Sequence, residues 1–185
     1  MENPKIYIIL SRSGTLFARI IRFYTHKYYN HASLAFEPGA ETVYSYGRRY
    51  PRLWFPGGFI IEGCHRGYFK LHPEMEIIVL EAEITPAQLE AVHAKLAPMI
   101  ARPRAYKYQL SAVYYTMRHR PCDRLDKFVC SGFIAYALQG ILPIREHYSQ
   151  VMPCDFMKLG LNVIYKGAVG DYKSFEQRRK AIFSE

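Results

Sequence analysis

A chain of 185 residues with half of them hydrophobic and 15% aromatic is long enough for one core of its own. At this size roughly 70% of the unfolded surface can be buried, so folding calls for neither disulfides nor a metal. Twenty-five basic against sixteen acidic residues give a net charge of +9, which attracts phosphates, nucleic acid or an anionic membrane surface. The basic residues are dispersed in short groups such as Arg48-Arg49 and Arg178-Arg179-Lys180, and no nucleic-acid module frames them. The reading is therefore no specific nucleic-acid partner and at most weak contact with an anionic membrane surface. No run of eighteen apolar residues exists to span a membrane. The start of the chain lacks the charged, apolar and small-residue sequence of a secretion signal, so a cytoplasmic location is the simplest expectation.

In chain order, residues 5–10 (KIYIIL) read as a buried strand. Ser13 can cap a helix to about Lys27, with Leu16, Phe17, Ile20, Ile21 and Tyr24 at helical spacing. Residues 31–36 (HASLAF) read as a strand, Pro38-Gly39 as a turn, and 42–47 (TVYSYG) as the returning strand. The stretch 48–58 reads as a loop, 58–63 (GFIIEG) as a short strand and 76–83 (EIIVLEAE) as a longer one. Thr85-Pro86 supplies an N-cap and first-turn proline for a helix through about Ile100. Tyr108–Met117 reads as helical. The run 129–139 is apolar around most of its circumference, which predicts a deeply buried helix. Pro153–Leu159 predicts a short final helix, followed by a polar tail. Neighbouring strands and segregated helices predict an α+β domain around an antiparallel sheet.

Four cysteines are present, Cys64, Cys122, Cys130 and Cys154, and none forms a Cys-x-x-Cys pair. Zinc and thioredoxin-like sites are therefore not expected, nor is any other metal or cofactor. Cys130 stands at the first turn of the apolar helix, where partial positive charge and unspent N–H groups favour a thiolate. The same N–H groups can face a developing oxyanion, and the small residues Ser131 and Gly132 let a substrate approach the backbone. The competing interpretation is an inert buried cysteine.

His31 opens a strand, and imidazole exchanges protons near neutral pH. Ser33 and Ala35 follow it on the same face. The other histidines lie in helical or loop settings or, as His65 beside Cys64, point away from the nearest thiol. A histidine at a strand start and a cysteine at a helix start form a nucleophile–base pair if the fold joins them.

These segments together, NHASLAF, VYSYGRR, GGFIIEG, FVCSGFIAYAL and the proline-led MPCDF, resemble the circularly permuted NlpC/P60 superfamily. The likeness is to its YiiX-like branch of papain-like folds, in which the histidine strand precedes the cysteine helix. It spans about residues 5–172 of a single domain covering 1–185. It implies a cysteine hydrolase, a peptidase or amidase, with Cys130 as nucleophile, His31 as base and a third polar residue that orients the histidine. Its substrates would be peptide-like amides or other small acyl compounds. An acyltransferase on lipid at a membrane surface, or a binding module that keeps the fold without turnover, are the alternatives.

Two residues compete for the third place. If Phe36 and Thr42 flank the turn, His31 pairs with Gly47 and Ser45 is its diagonal same-face neighbour. Glu62, a carboxylate among apolar residues on the next strand, would orient imidazole more strongly and is preferred. Tyr7, on the first strand, is a candidate oxyanion donor or a core tyrosine, with Ser11 beside it. Trp54, in the 48–58 loop, is a candidate wall of a substrate groove.

Overall fold

A computed structural model of the chain describes residues 3–14, 28–50, 56–109, 111, 115 and 120–182. Its strands are β1 (Lys5–Ser11), β2 (His31–Ala35), β3 (Val43–Arg48), β4 (Gly57–Glu62), β5 (Glu76–Glu83), β6 (Lys107–Tyr108), β7 (Lys127–Phe128) and β8 (Asn162–Ala168). The helices are α1 (Gly67–Leu71), α2 (Pro86–Ala101), α3 (Cys130–Leu138) and α4 (Val169–Ile182). Among the described residues the strands form one open, eight-stranded sheet in the order β7-β6-β4-β3-β2-β1-β5-β8. Every pairing is antiparallel except β6–β7. The architecture is the expected α+β.

Strand alternation sorts the sheet into two apolar faces. Ile6, Ile8 and Leu10 of β1 join Leu34, Tyr46 and Phe59 under α2 and α3. The intervening Tyr7 and Ile9 join Ala35, Val43, Ile77 and Val79 under α1 and α4. The result is a helix–sheet–helix sandwich with the His31 strand near its middle.

The two helices on the first face follow from their sequences. Thr85 caps α2: its hydroxyl accepts from the Gln88 N–H, and the Gln88 side chain accepts from the Thr85 N–H. Every residue of α3 except Tyr136 is buried, as its all-round apolar sequence requires. Lys95 of α2 donates to the carbonyls of Tyr136, Ala137 and Gln139, satisfying the C-terminal end of α3. At Gly132 a Cβ would stand 3.2 Å from the Tyr148 carbonyl oxygen, so glycine lets the Tyr148–Gln150 turn lie against the helix.

Several expectations change. The segment after Leu159 is not a polar tail: it forms the edge strand β8 and then α4, whose Val169 and Tyr172 are buried. Tyr108 belongs to β6 rather than to a helix. Pro153–Leu159 is a run of 3₁₀-helix. The predicted helix from Ser13 to Lys27 falls almost wholly outside the described residues, as do most of 108–117 and Trp54. No described helix is long and apolar enough to cross a membrane.

Candidate functional site

The site begins with what holds the start of β2. The Asn30 side chain accepts from the Ser13 N–H at 2.9 Å and donates to the Ser13 carbonyl at 3.0 Å. Ser11 pairs with His31 across β1–β2. The backbone of His31 is thus pinned from the β1 side.

On its other side β2 pairs with β3 at Leu34–Tyr44 and Ala35–Val43. Continued, this register sets Ser45 opposite Ser33 and Gly47 opposite His31, as the turn at Pro38-Gly39 predicts. The ladder stops short of those positions. The Ser45 hydroxyl instead donates to the Ala32 carbonyl at 2.6 Å. The opposite group of the same residue, the Ala32 N–H, points at the Cys130 sulfur. Because β2 and β3 part where β2 begins, the thiol finds a backbone donor there.

α3 packs on β2 and β3 and delivers Cys130 from its first turn. Its own N–H and that of Ser131 also point at the sulfur, so three backbone donors favour the thiolate. Burial opposes them more strongly and pushes the thiol above its ordinary range. Only 4% of Cys130 is exposed. Burial also pushes Cys64 up to about 12, which leaves it inert at neutral pH.

The Nε2 of His31 lies 3.2 Å from the Ser45 hydroxyl. Ser45 has one hydroxyl hydrogen and spends it on the Ala32 carbonyl, so toward the ring it accepts. Nε2 must then carry the imidazole proton, and Nδ1 keeps its lone pair as the basic nitrogen. Glycine at position 47 makes room for the ring: a Cβ there would stand 3.7 Å from His31 Cε1 and 2.9 Å from Ile60 Cδ1. Burial and the charge of Arg48 lower the His31 pKa from 6.5 to about 4. Among the described residues no hydrogen bond joins the ring to the Cys130 sulfur. At rest Cys130 is therefore a neutral thiol and His31 a neutral imidazole.

Ser45 is thus joined to His31 directly and, through the Ala32 backbone, to the residue whose N–H meets Cys130, and the preference for Glu62 is corrected. Glu62 pairs with Val43, whereas Gly58 pairs with Gly47 beside the ring. Four residues along a strand is about 13 Å, too far for a hydrogen bond to His31. The Glu62 carboxylate instead accepts from the Tyr68 N–H at 3.4 Å, and burial raises its pKa. Tyr7 is corrected on the same ground. It pairs with Ala35, four residues from Ser11, and is buried among Ala35 and Val43 in the second core. The Ser131 side chain is also withdrawn from substrate: its hydroxyl donates to the Val151 carbonyl at 2.6 Å, and only its backbone serves the sulfur.

One residue near the thiol escaped the sequence reading. Tyr108 of β6 is close enough to Cys130 for a charge there to act on it. Burial raises its phenol well above the usual range, so it remains a neutral O–H donor. The alternation Tyr106, Tyr108 in AYKYQL was the available signal, but a two-residue strand has no period to detect.

A second line of polar groups runs Asp123–His147–Ser149, with both ring nitrogens at 2.8 Å from their partners. The Ser149 hydroxyl is buried and accepts from the Cys122 N–H at 3.0 Å. This array fastens the 120–124 segment to the turn that packs on α3. It offers no exposed nucleophile. A surface cavity of about 290 Å³ lies elsewhere, lined by Ile144, Val151, Phe156 and charged residues of the 143–159 region, and shares no lining residue with the thiol site. Among the described residues no group of three or more His, Cys, Asp or Glu side chains could hold a metal ion.

Ser45→Ala removes the acceptor of the Nε2 proton, a loss of about one net hydrogen bond. Nitrogen-15 shifts of His31 should move from a clean Nε2–H tautomer toward a mixture. An unchanged tautomer would remove Ser45 from the positioning role. No protein-family model, curated protein or solved structure matches the chain.

Proposed function

We propose that the chain is a cysteine hydrolase of the amidase or peptidase type, with the circularly permuted papain-like arrangement of the NlpC/P60 superfamily. The observation that carries this reading is the Ser45 hydrogen-bond pair, which fixes His31 with a free, basic Nδ1 at the residue next to the one whose N–H meets the Cys130 sulfur. In the proposed reaction Nδ1 takes the thiol proton as sulfur attacks an amide or ester carbonyl, forming a thioester and, with the returned proton, a free amine or alcohol. Once the sulfur is bonded to carbon and has lost its negative charge, the Cys130 and Ser131 N–H groups that held it stabilise the tetrahedral oxygen. Water then attacks the thioester with His31 again as base, releasing the acid and restoring the thiol.

A buried sulfur with a raised pKa also suits a binding module that has kept the fold without turnover. One experiment separates the two. The protein is incubated with p-nitrophenyl acetate, quenched in acid and mapped by peptide mass spectrometry. The enzyme reading expects a transient acetyl group on Cys130 ahead of Cys122 and Cys154. Release of p-nitrophenol without acylation of Cys130 would overturn it.

A further inference from the structure

The half-buried end of β3 carries one more group that the proposed reaction does not use. Arg48 directly follows Gly47, and its guanidinium carbon sits 4.6 Å from the centre of the Tyr68 ring. Among the described residues it makes no hydrogen bond and no ion pair. Four other arginines are spent. Arg49 donates to the carbonyls of Pro103 and Tyr106, Arg66 to that of Glu41, Arg12 to Glu76 and Arg124 to Asp126. Arg48 is held over the Tyr68 ring by this cation–π contact while its N–H fork makes no hydrogen bond among the described residues.

The charge of Arg48 acts on both His31 and Glu62. At rest it works against His31, because a cation beside an imidazole disfavours proton uptake. Binding an anion to the guanidinium would cancel that smaller effect while burial, the larger cause, remains, so the ring gains some basicity only when ligand is present. The same sheet face carries two buried hydroxyls without a hydrogen-bond partner, those of Ser11, opposite His31, and Ser33. A planar fork suits a carboxylate held by two hydrogen bonds. Because the charge of Glu62 is also felt there, a monoanion is repelled less than a phosphate dianion.

We propose that Arg48, stacked on Tyr68, is the specificity residue of this site and receives a carboxylate on the substrate next to the bond that Cys130 attacks. The proposal rests on the thiol-hydrolase reading above. It makes the substrates acidic acyl compounds or peptides with a free carboxylate near the scissile amide.

Iodoacetate and iodoacetamide test it without a known substrate. In each case the Cys130 sulfur bonds to the methylene carbon, iodide leaves with the electron pair and the thiol proton passes to His31. Iodoacetate carries the carboxylate and iodoacetamide does not. Peptide mapping of the intact protein at pH 7 should show iodoacetate modifying Cys130 about ten times faster than iodoacetamide, the reverse of an ordinary thiol. In Arg48→Gln the ratio should fall to that of Cys122 or Cys154, and Arg48→Lys should keep an intermediate ratio, with melting curves checking that both variants fold. A ratio that stays the same in Arg48→Gln while Cys130 still reacts selectively overturns the arginine assignment alone. If neither reagent distinguishes Cys130 from the other thiols, the thiol reading fails and the assignment with it. Stronger protection by inorganic phosphate than by acetate would overturn the carboxylate in favour of a phosphoryl group.

Discussion

Cys130→Ala will abolish turnover, and His31→Gln will lower it by about 10²–10⁴-fold, the usual worth of a positioned general base. The two variants differ most clearly in how the thiol responds to pH. With the thiol pushed up and the imidazole lowered to about 4, the wild-type pair stays uncharged from mildly acidic to mildly alkaline pH. Iodoacetamide should therefore alkylate wild-type Cys130 at a nearly level rate across that range, falling on the acid side with a midpoint near 4. In His31→Gln only the small fraction of free thiolate reacts, so the rate should rise about tenfold per pH unit up to the raised thiol pKa. A wild-type acid limb near 6.5 would mean that the ring is neither buried nor opposed by Arg48. Stability gives an independent check of the sign. Because the folded pKa lies below the unfolded value of 6.5, the contribution of neutral His31 is complete above 6.5 and is lost as pH falls toward 4. About 2.5 pH units corresponds to roughly 3 kcal/mol, and His31→Gln should remove that part of the acid sensitivity in urea titrations.

The sheet was legible in the sequence wherever a turn signal and alternation agreed. Pro38-Gly39 with Phe36 and Thr42 on its flanks set the β2–β3 register, and the observed pairs Leu34–Tyr44 and Ala35–Val43 follow it. That register alone leads from His31 to Ser45. Glu62 suits the chemistry, but its place depends on the register of β4, and no turn signal fixes that across 48–56. Chemical suitability cannot overcome about 13 Å of strand. Tyr7 was drawn to the site by its strand, yet the end of a strand decides what it reaches, and Ser11 holds that end. The short strands β6 and β7 and the one-and-a-half-turn α1 are set by tertiary pairing and carry no periodic signal of their own. The parting of β2 from β3 is the least legible feature. It arises because Ser45 and Cys130 take the Ala32 carbonyl and N–H that a regular ladder would have paired.

Phe133→Ala should destabilise the fold by about 3–5 kcal/mol, the cost of emptying a large apolar site in a core that cannot fully collapse. Phe133 is fully buried, with ring centres 5.3 Å from Tyr46 and 5.6 Å from Phe59, so one residue bridges α3 to both β3 and β4. For a chain of this length the loss corresponds to a melting temperature lower by about 6–20 °C. Met157→Ala, at an exposed side chain, should change stability by less than about 0.5 kcal/mol and serves as the control. Phe133 lies one helical turn after Cys130, so the contact that anchors α3 also sets the sulfur against the Ala32 N–H. A truncated ring lets the first turn of α3 shift, and Cys130 should lose its preference over Cys122 and Cys154 for iodoacetamide well below the melting temperature. Unchanged selectivity in a variant destabilised by several kcal/mol would mean that the thiol is aligned by β2 and the Tyr148–Gln150 turn alone. It would then be β2, rather than the aromatic core, that positions the proposed nucleophile.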